Sequence, residues 1–185
     1  NGHILLGSGD LTVKNASDSI FLGSISGSGD LFKTGTGSFT LSGNNAYTGQ
    51  TSILEGKLIA TKAGALGSGN ISITDTLELA FTENGSLSNQ FSGNGLIEKT
   101  GSYTATLTSA SSTVGLVEVK AGKLTLAQDG TFTAGDYKTL TNATTSLGEH
   151  AFLLVNNGFV QENMSNLEVY SNSTRTPVIM ADTAN

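Results

Sequence analysis

The chain has 185 residues, of which 37% are hydrophobic and only 13% charged, with 24 glycines and no cysteine. Its net charge of −6 excludes a nucleic-acid partner, since binding phosphates needs a basic stripe, and the missing cysteines exclude disulfides and thiolate metal sites. Leu, Ile and Val recur along the whole length, which predicts a folded rather than a disordered protein.

Short segments of alternating apolar and polar residues follow one another along the chain. They include residues 11–13, 39–41, 71–73, 77–79, 117–119 and 124–126. Alternation with period two is typical of strands with one buried face, and Gly, Asn, Ser and Asp between the segments are turn residues. No run shows sustained helical periodicity. The sequence therefore predicts an all-β fold.

Internal repeats narrow the fold further. GSGDL at residues 7–11 returns at 27–31, and residues 27–62 align without gaps on residues 93–128, with eleven identities in thirty-six positions. The offset of 66 is three times 22, and about 20–22 residues suit one coil of a parallel β-helix. A parallel β-helix is therefore favoured over a sandwich or an open barrel.

Two ladders of inward-facing residues are expected along such a solenoid. The first runs through Leu11, Leu31, Ile53, Ile73, Ile97, Val119 and Leu140. The second runs through Leu22, Leu41, Leu58 or Ala60, Leu79, Leu107 and Leu126. Each coil of a solenoid buries its apolar face only against its neighbours, so stacked apolar positions are required.

The first copy carries a specific pattern of fixed positions. They are Gly27, Gly29, Leu31, Lys33, Gly35, Gly37, Leu41, Gly43, Asn45, Tyr47, Gly49, Thr51, Ile53, Gly56 and Leu58. The second copy keeps the two ends of the pattern and departs in the middle; its matching positions include Gly93, Gly95, Lys99, Gly101, Leu107, Gly122 and Leu124. This pattern resembles the passenger-associated repeat of Gram-negative autotransporters, the type V secretion proteins.

The resemblance implies a right-handed parallel β-helix passenger, exported through the periplasm and outer membrane by its own C-terminal β-barrel, which is absent here. The implied location is the bacterial cell surface or the medium, and the implied function is adhesion, self-association or biofilm formation. Implied partners are a host-cell or matrix receptor, or the same passenger on a neighbouring cell. Without an initiator Met, signal peptide or membrane-spanning run, the chain is expected to be a processed or excised piece.

One continuous solenoid is expected, with the repeat-bearing coils in residues 1–128. Residues 129–185 no longer show the repeat but still alternate, in three apolar groups at 152–155, 167–170 and 178–180. They are predicted to form the C-terminal coils, as a cap or autochaperone-like region. A cap is physically reasonable because the last coil of a solenoid exposes unpaired strand edges.

The residues that could carry chemistry do not converge. His3 and His150 are expected at opposite ends of the rod, and no GDSGSP-type protease motif occurs. The acidic residues, including Glu78, Glu98 and Glu118, are interpreted as dispersed, solvated turn positions, and Asp10 and Asp30 lack the tandem spacing of calcium repeats. No catalytic, cofactor or metal site is predicted, and the chain is not expected to be an enzyme.

Two alternatives stay open from the sequence. The chain could be the β-helical stalk and autochaperone segment of a secreted toxin or serine protease whose active domain lies outside it. More remotely, it could be a carbohydrate-active β-helix enzyme, which would require carboxylates clustered on one face.

Overall fold

A computed structural model describes residues 2–127, 130–169 and 178–181. Asp129, Tyr170, Asn172 and Pro177 lie outside these ranges. The described chain is all-β apart from one turn of 3-10 helix at Ala63–Leu66, and every strand pairing in it is parallel. In the described residues no helix has the length and apolar character needed to cross a membrane. The predicted parallel β-helix is confirmed, with about eight turns.

Twenty-two short strands make up the described rod. The first nine are β1 (His3–Leu5), β2 (Leu11–Lys14), β3 (Ser19–Phe21), β4 (Ser24–Gly27), β5 (Leu31–Thr34), β6 (Ser38–Leu41), β7 (Ala46–Tyr47), β8 (Thr51–Ile53) and β9 (Lys57–Ala60). After the helical turn come β10 (Ile71–Ile73), β11 (Thr76–Ala80), β12 (Gly85–Leu87), β13 (Phe91–Ser92), β14 (Leu96–Thr100), β15 (Thr104–Leu107), β16 (Ser111–Val119) and β17 (Lys123–Leu126). The last five are β18 (Thr131–Thr139), β19 (Thr144–Leu147), β20 (Phe152–Gln161), β21 (Asn166–Val169) and β22 (Val178–Ala181).

Successive strands lie on three faces of the coil. The second face is the sheet β2-β5-β8-β10-β13, and the third face is the nine-stranded sheet from β3 to β22. The first face begins as the sheet β1-β4-β7 and resumes as β12-β15-β17-β19-β21. Alternate side chains on all three faces point inward and form one continuous apolar core.

The helical turn interrupts the first face. It takes the place of a strand between β7 and β12: Asn45 N–H donates to the Gly64 carbonyl on one side, and Gly85 lies against Ala63 on the other. Ala65 and Leu66 are fully buried, so the turn still contributes to the core. At this level the coils are thus held together by the continuous sheets of the second and third faces and, on the first face, by packing of the helical turn.

The strand register corrects the first predicted ladder. Leu31 pairs with Thr51, whereas Ile53 pairs with Lys33, so the step from Leu31 to Ile53 was wrong by two residues. On the second face the true ladder is Leu11, Leu31, Thr51, Ile71 and Phe91, in steps of 20 residues. Ile97 and Val119 belong to the third face, and Leu140 follows β18 at a corner.

The second predicted ladder was partly wrong as well. Leu22 is 59% exposed, and its neighbour Phe21 is the residue that pairs with Leu41. Of the two options at the next step, Ala60 is the partner of Leu41. Leu107 and Leu126 pair with each other on the first face. The true third-face ladder is Phe21, Leu41, Ala60, Leu79, Lys99, Val119, Thr139 and Gln161, in steps of 19 to 22 residues.

The sequence repeat is therefore not stacked upon itself. Three turns take about 60 residues, so an offset of 66 moves the second copy three turns along the rod and one face around it. Residue 33 lies in β5 on the second face, and its counterpart at 99 lies in β14 on the third. Likewise β6 on the third face corresponds to β15 on the first. The interpretation of 66 as three coils of 22 was wrong.

The cross-section changes at Ser111. From there β16, β18 and β20 are nine or ten residues long and extend the third face across the position of the second, where Ser112 accepts the N–H of Phe91. Where β16 bends, Gly115 packs so close to Asn94 that a Cβ would lie 2.0 Å from its carbonyl oxygen. The division at residues 128 and 129 is a different boundary and stays a prediction.

Candidate functional site

The first copy of the repeat builds a corner around a buried lysine. Lys33 points inward at the end of β5 and is fully buried. Its Nζ donates to the carbonyls of Thr34 at 3.1 Å, Gly35 at 2.6 Å and Glu55 at 3.0 Å. Burial lowers the pKa of Lys33, and the nearby carboxylates of Glu55 and Asp75 oppose that shift. The ammonium thus ties the corner of one turn to the corner of the next.

The second copy builds the same corner on another face. Lys99 is also fully buried, and its Nζ donates to the carbonyls of Thr100, Gly101 and Ala121, each 66 residues beyond the acceptors of Lys33. Burial lowers the pKa of Lys99 to about 8. The position of Glu55 is taken by Ala121, so the carboxylate that supports the ammonium in the first copy is missing.

The glycines that the two copies share adopt matching backbone conformations. The φ angles are 124° and 114° at Gly27 and Gly93, 79° and 70° at Gly35 and Gly101, and 73° and 65° at Gly56 and Gly122. These positive angles favour glycine. A Cβ at Gly56 or at Gly122 would also lie 2.4 Å from the carbonyl oxygen of the preceding turn. The repeat therefore specifies corners with little room for a side chain.

Asn45 and Tyr47 fill the inside of the first copy. The Asn45 side chain accepts the N–H of Ile25 and donates to the carbonyl of Ala65, so it joins three successive turns. Tyr47 is fully buried, its hydroxyl lies 2.6 Å from Thr51 Oγ1, and burial raises its pKa to about 12. Leu31 and Leu41, like Ile53 and Leu58, are fully buried. These fixed positions of the first copy thus contribute to core packing and to the contacts between turns.

A row of carboxylates on the third face was missed by the sequence interpretation. Glu78, Glu98 and Glu118 are register partners on the adjacent strands β11, β14 and β16. They are strand residues rather than turn residues, so that interpretation was wrong for these three. The signal was present, because Glu78 and Glu118 are middle residues of alternating segments and all three carboxylates are spaced 20 residues apart.

Lysines neutralise this row. Lys57 lies 3.0 Å from Glu78 and 2.6 Å from Glu98, and Lys120 lies 2.6 Å from Glu98 and 3.3 Å from Glu118. Burial alone would raise the pKa of Glu98, but the hydrogen bonds from Lys120 and Lys57 lower it below its ordinary value. A carboxylate held ionised in this way is unsuited to act as a general acid. With Lys138 of β18, which lies 3.6 Å from Glu118, the network joins five adjacent strands.

The first face presents mainly hydroxyl groups, together with one ion pair. Beyond the helical turn, its outward positions include Ser86, Thr104, Thr106, Thr125 and Thr144, here called the hydroxyl face. The inward positions between them are apolar and buried, such as Leu107 and Leu126. Lys123 and Glu168 form an ion pair within the hydroxyl face, since Lys123 lies between Thr104 and Thr144 in the register. Ser146, the partner of Thr125 on the next strand, is buried.

The two histidines lie near opposite ends of the described rod. His3, in β1, lies between Ser24 Oγ at 2.7 Å from Nδ1 and Ser26 Oγ at 3.1 Å from Nε2, on the exposed side of the first face. His150 follows β19 near the other end of the described rod. Among the described residues, no group of three or more His, Asp or Glu side chains could hold a metal ion.

Comparison with known proteins finds a family model and a relative that match parts of this chain. The family model for the passenger-associated-transport-repeat matches residues 31–60, which lie within the first copy. Over 70 residues the chain is 39% identical to the adhesin BmaC autotransporter of Brucella suis biovar 1 (strain 1330). The chain thus carries the repeat found in the passenger domains of autotransporters. That alignment covers 37% of this chain and 2% of the relative. No solved structure matches.

The passenger repeat now has a structural meaning. The matched residues run from the buried Leu31, through the Lys33 corner and Tyr47, to the buried Ala60. They cover one and a half turns of the passenger, from β5 to β9. What the family model recognises is thus a set of corner and core residues, not a cluster of reactive groups.

Proposed function

We propose that this passenger segment is a structural and adhesive part of a protein displayed on, or released from, a Gram-negative cell. The hydroxyl face is the observation that carries the proposal. Its outward Ser and Thr side chains stand on successive strands about 4.8 Å apart, and they can donate and accept hydrogen bonds. The relative is named as an adhesin, which supports the same class of function.

The partner proposed for this face is the same passenger on a neighbouring cell, or a receptor on a host cell or matrix. A surface made mainly of neutral hydroxyls binds through many weak hydrogen bonds, so affinity would come from the length of rod engaged rather than from one pocket. The third face is less suited to this role, because its charged groups already satisfy one another. The passenger's own outer-membrane barrel is proposed as the partner in export.

The test compares two matched double variants on cells displaying the full passenger. Thr106→Lys with Thr125→Lys places two positive charges on adjacent strands of the hydroxyl face. Ser72→Lys with Ser92→Lys does the same on the second face. We expect the first pair to reduce cell settling and host-cell binding and the second pair to leave both unchanged, with equal surface display.

Equal behaviour of both pairs, or unchanged settling and binding in cells that lack the passenger, would contradict the proposal. In that case a stalk that only presents a toxin or protease domain would be the better account.

A further inference from the structure

Three Asn-Gly pairs lie in the described part of the rod: Asn84–Gly85, Asn94–Gly95 and Asn157–Gly158. This dipeptide is prone to deamidation, because glycine leaves the following backbone nitrogen unhindered and its chain flexible. All three asparagines are exposed. Any difference in deamidation rate among the three pairs must therefore come from their surroundings rather than from the exposure of the asparagine side chain.

Two of the pairs are held in unreactive arrangements. The Gly95 nitrogen donates to the carbonyl of Ile73 at 2.9 Å, and Gly95 is buried. Reaction there must first break this hydrogen bond, a penalty of about fivefold in rate. At Asn84 the side-chain oxygen accepts the N–H of Thr104 at 2.8 Å, so reaction there must first release the carboxamide from this hydrogen bond.

The third pair lies at an irregularity. Ala134 pairs with Val155 and Asp136 pairs with Gly158, so one residue of β18 faces both Asn156 and Asn157 of β20. Such a bulge leaves a residue outside the regular ladder and bends the strand. The Asn157 amide nitrogen lies over Gly135, 3.3 Å from where a Cβ would stand, and Gly135 offers no side chain to restrain it.

We propose that Asn157 is a site of spontaneous deamidation that changes the C-terminal turns as the protein ages. The Gly158 nitrogen attacks Cγ of Asn157; the new C–N bond closes a succinimide, and the bond from Cγ to Nδ2 breaks. The amide proton of Gly158 leaves with that nitrogen as ammonia. Water then opens the ring at either carbonyl, giving aspartate or isoaspartate, with no oxidant or reductant involved.

The product changes both charge and backbone. A new carboxylate appears close to Asp136, whose Oδ1 already lies beside Gly158. Isoaspartate also adds a methylene to the main chain of β20, within the pairing of β18 and β20. Both effects weaken the pairing of β18 and β20, so the stability of this part of the rod would fall slowly as deamidation proceeds.

The experiment follows deamidation at all three pairs in one sample. The full chain, folded or denatured in urea, is incubated in mildly alkaline buffer, and peptide mapping by mass spectrometry measures aspartate plus isoaspartate at each pair. We expect similar rates at the three pairs in the denatured chain. In the folded chain Asn94 and Asn84 should slow several-fold, and Asn157 should slow least. Slowing of Asn157 equal to or greater than that of Asn94 would overturn the proposal.

Two variants sharpen this result. Gly158→Ala hinders the attacking nitrogen and should lower the rate at Asn157 several-fold; its methyl group would stand 3.1 Å from Asp136 Oδ1, at the end of a side chain that can move. Asn156→Gln, the matched change one residue earlier, should leave the rate unchanged. An unchanged rate in the glycine variant would show that the succinimide route is not the one used.

Discussion

The first copy of the repeat, residues 27–62, starts on the first face of the rod, and the second, residues 93–128, starts on the second. The corners of both copies nevertheless have the same lysine, the same three acceptor carbonyls and the same glycine angles. The outward side chains differ: Phe32, Ser52 and Leu54 of the first copy correspond to Glu98, Glu118 and Lys120 of the second.

This comparison teaches what the repeat is for. If the repeat were a binding epitope, its outward residues would be the ones copied. Apart from the outward pairs Thr40/Thr106 and Lys57/Lys123, the copied residues instead close corners and fill the core, and they do so on whichever face they fall. The repeat is therefore a coil-building module, and binding residues can vary on top of it. Four predictions test this comparison, in order of expected size.

The largest effect is expected at Tyr47, which the second copy lacks. Tyr47 is fully buried, whereas its counterpart Thr113 is exposed on β16. We expect Tyr47→Ala to lower the free energy of unfolding by about 4 kcal/mol, because it leaves a large cavity. Thr113→Ala should change it by less than about 0.5 kcal/mol. Urea denaturation measures both, and similar values would show that the middle of the module is equivalent in the two copies.

The next effect is expected at the paired corner glycines. Gly56→Ala and Gly122→Ala combine a strained φ with a Cβ placed 2.4 Å from a carbonyl oxygen, so each should cost about 3 kcal/mol. Gly7 is the matched control: its φ is 60°, but a Cβ there would meet nothing within 4 Å. Gly7→Ala should therefore cost only about 1 kcal/mol. A clear difference between Gly56 and Gly122 would contradict the equivalence of the corners.

The period of the coil could be predicted from the sequence, but the register could not. Residues i and i+2 of a strand both point inward, so Leu31 fits Thr51 and Ile53 equally well by pattern. The strand pairing, which sets Leu31 beside Thr51 and Lys33 beside Ile53, decides between them. For the same reason an offset of 66 is compatible with three coils of 22 or with three coils of about 20 plus one face.

Side-chain surroundings were harder still to predict. Alternation aligns Lys33 with the inward Leu31 and Lys99 with the inward Ile97, but burial of the two lysines was not expected, because lysine is rarely buried without a partner. Here backbone carbonyls serve as the partner. By contrast, the row of Glu78, Glu98 and Glu118 could have been found from its 20-residue spacing. The hydroxyl face needed the register, since it follows from which Ser and Thr share an outward row.

A third prediction separates the two lysine corners. Lys33→Met should cost about 2 kcal/mol at neutral pH and Lys99→Met about 1 kcal/mol, because Glu55 and Asp75 favour the Lys33 ammonium and the pKa of Lys99 is lowered by burial. Both variants leave three carbonyls without their donor. Equal costs would show that the neighbouring carboxylates do not matter.

The pH dependence gives this prediction a second measurement. The pKa of Lys99 is about 8 in the folded chain against an ordinary 10.5, so between these values the unfolded chain binds more protons and the folded state gains stability as pH rises. Denaturation from about pH 8 to about pH 9.5 should show this gain in the parent chain and lose it in Lys99→Met. That window ends before Tyr47 and Tyr137, whose pKa values burial raises, reverse the trend.

The smallest effect is expected at the copied surface lysines. Lys57 and Lys123 have side chains 31% exposed, but Lys57 binds two carboxylates on neighbouring strands and Lys123 binds Glu168 two strands away. Lys57→Met and Lys123→Met should each cost less than about 1 kcal/mol, with the larger cost at Lys57. Glu98, whose side chain is only 9% exposed, would then keep Lys120 alone as its cation.

Added salt distinguishes these two pairs. Screening should reduce the cost of Lys123→Met more than that of Lys57→Met, because the carboxylate of Glu98 is more shielded from solvent than that of Glu168. The pKa of Glu98 is lowered by its lysines, so its contribution to stability is present above the ordinary value of 4.5 and is lost as pH falls below it. An equal response of both variants to salt would mean that the outward residues of the two copies, despite their different partners, are energetically interchangeable.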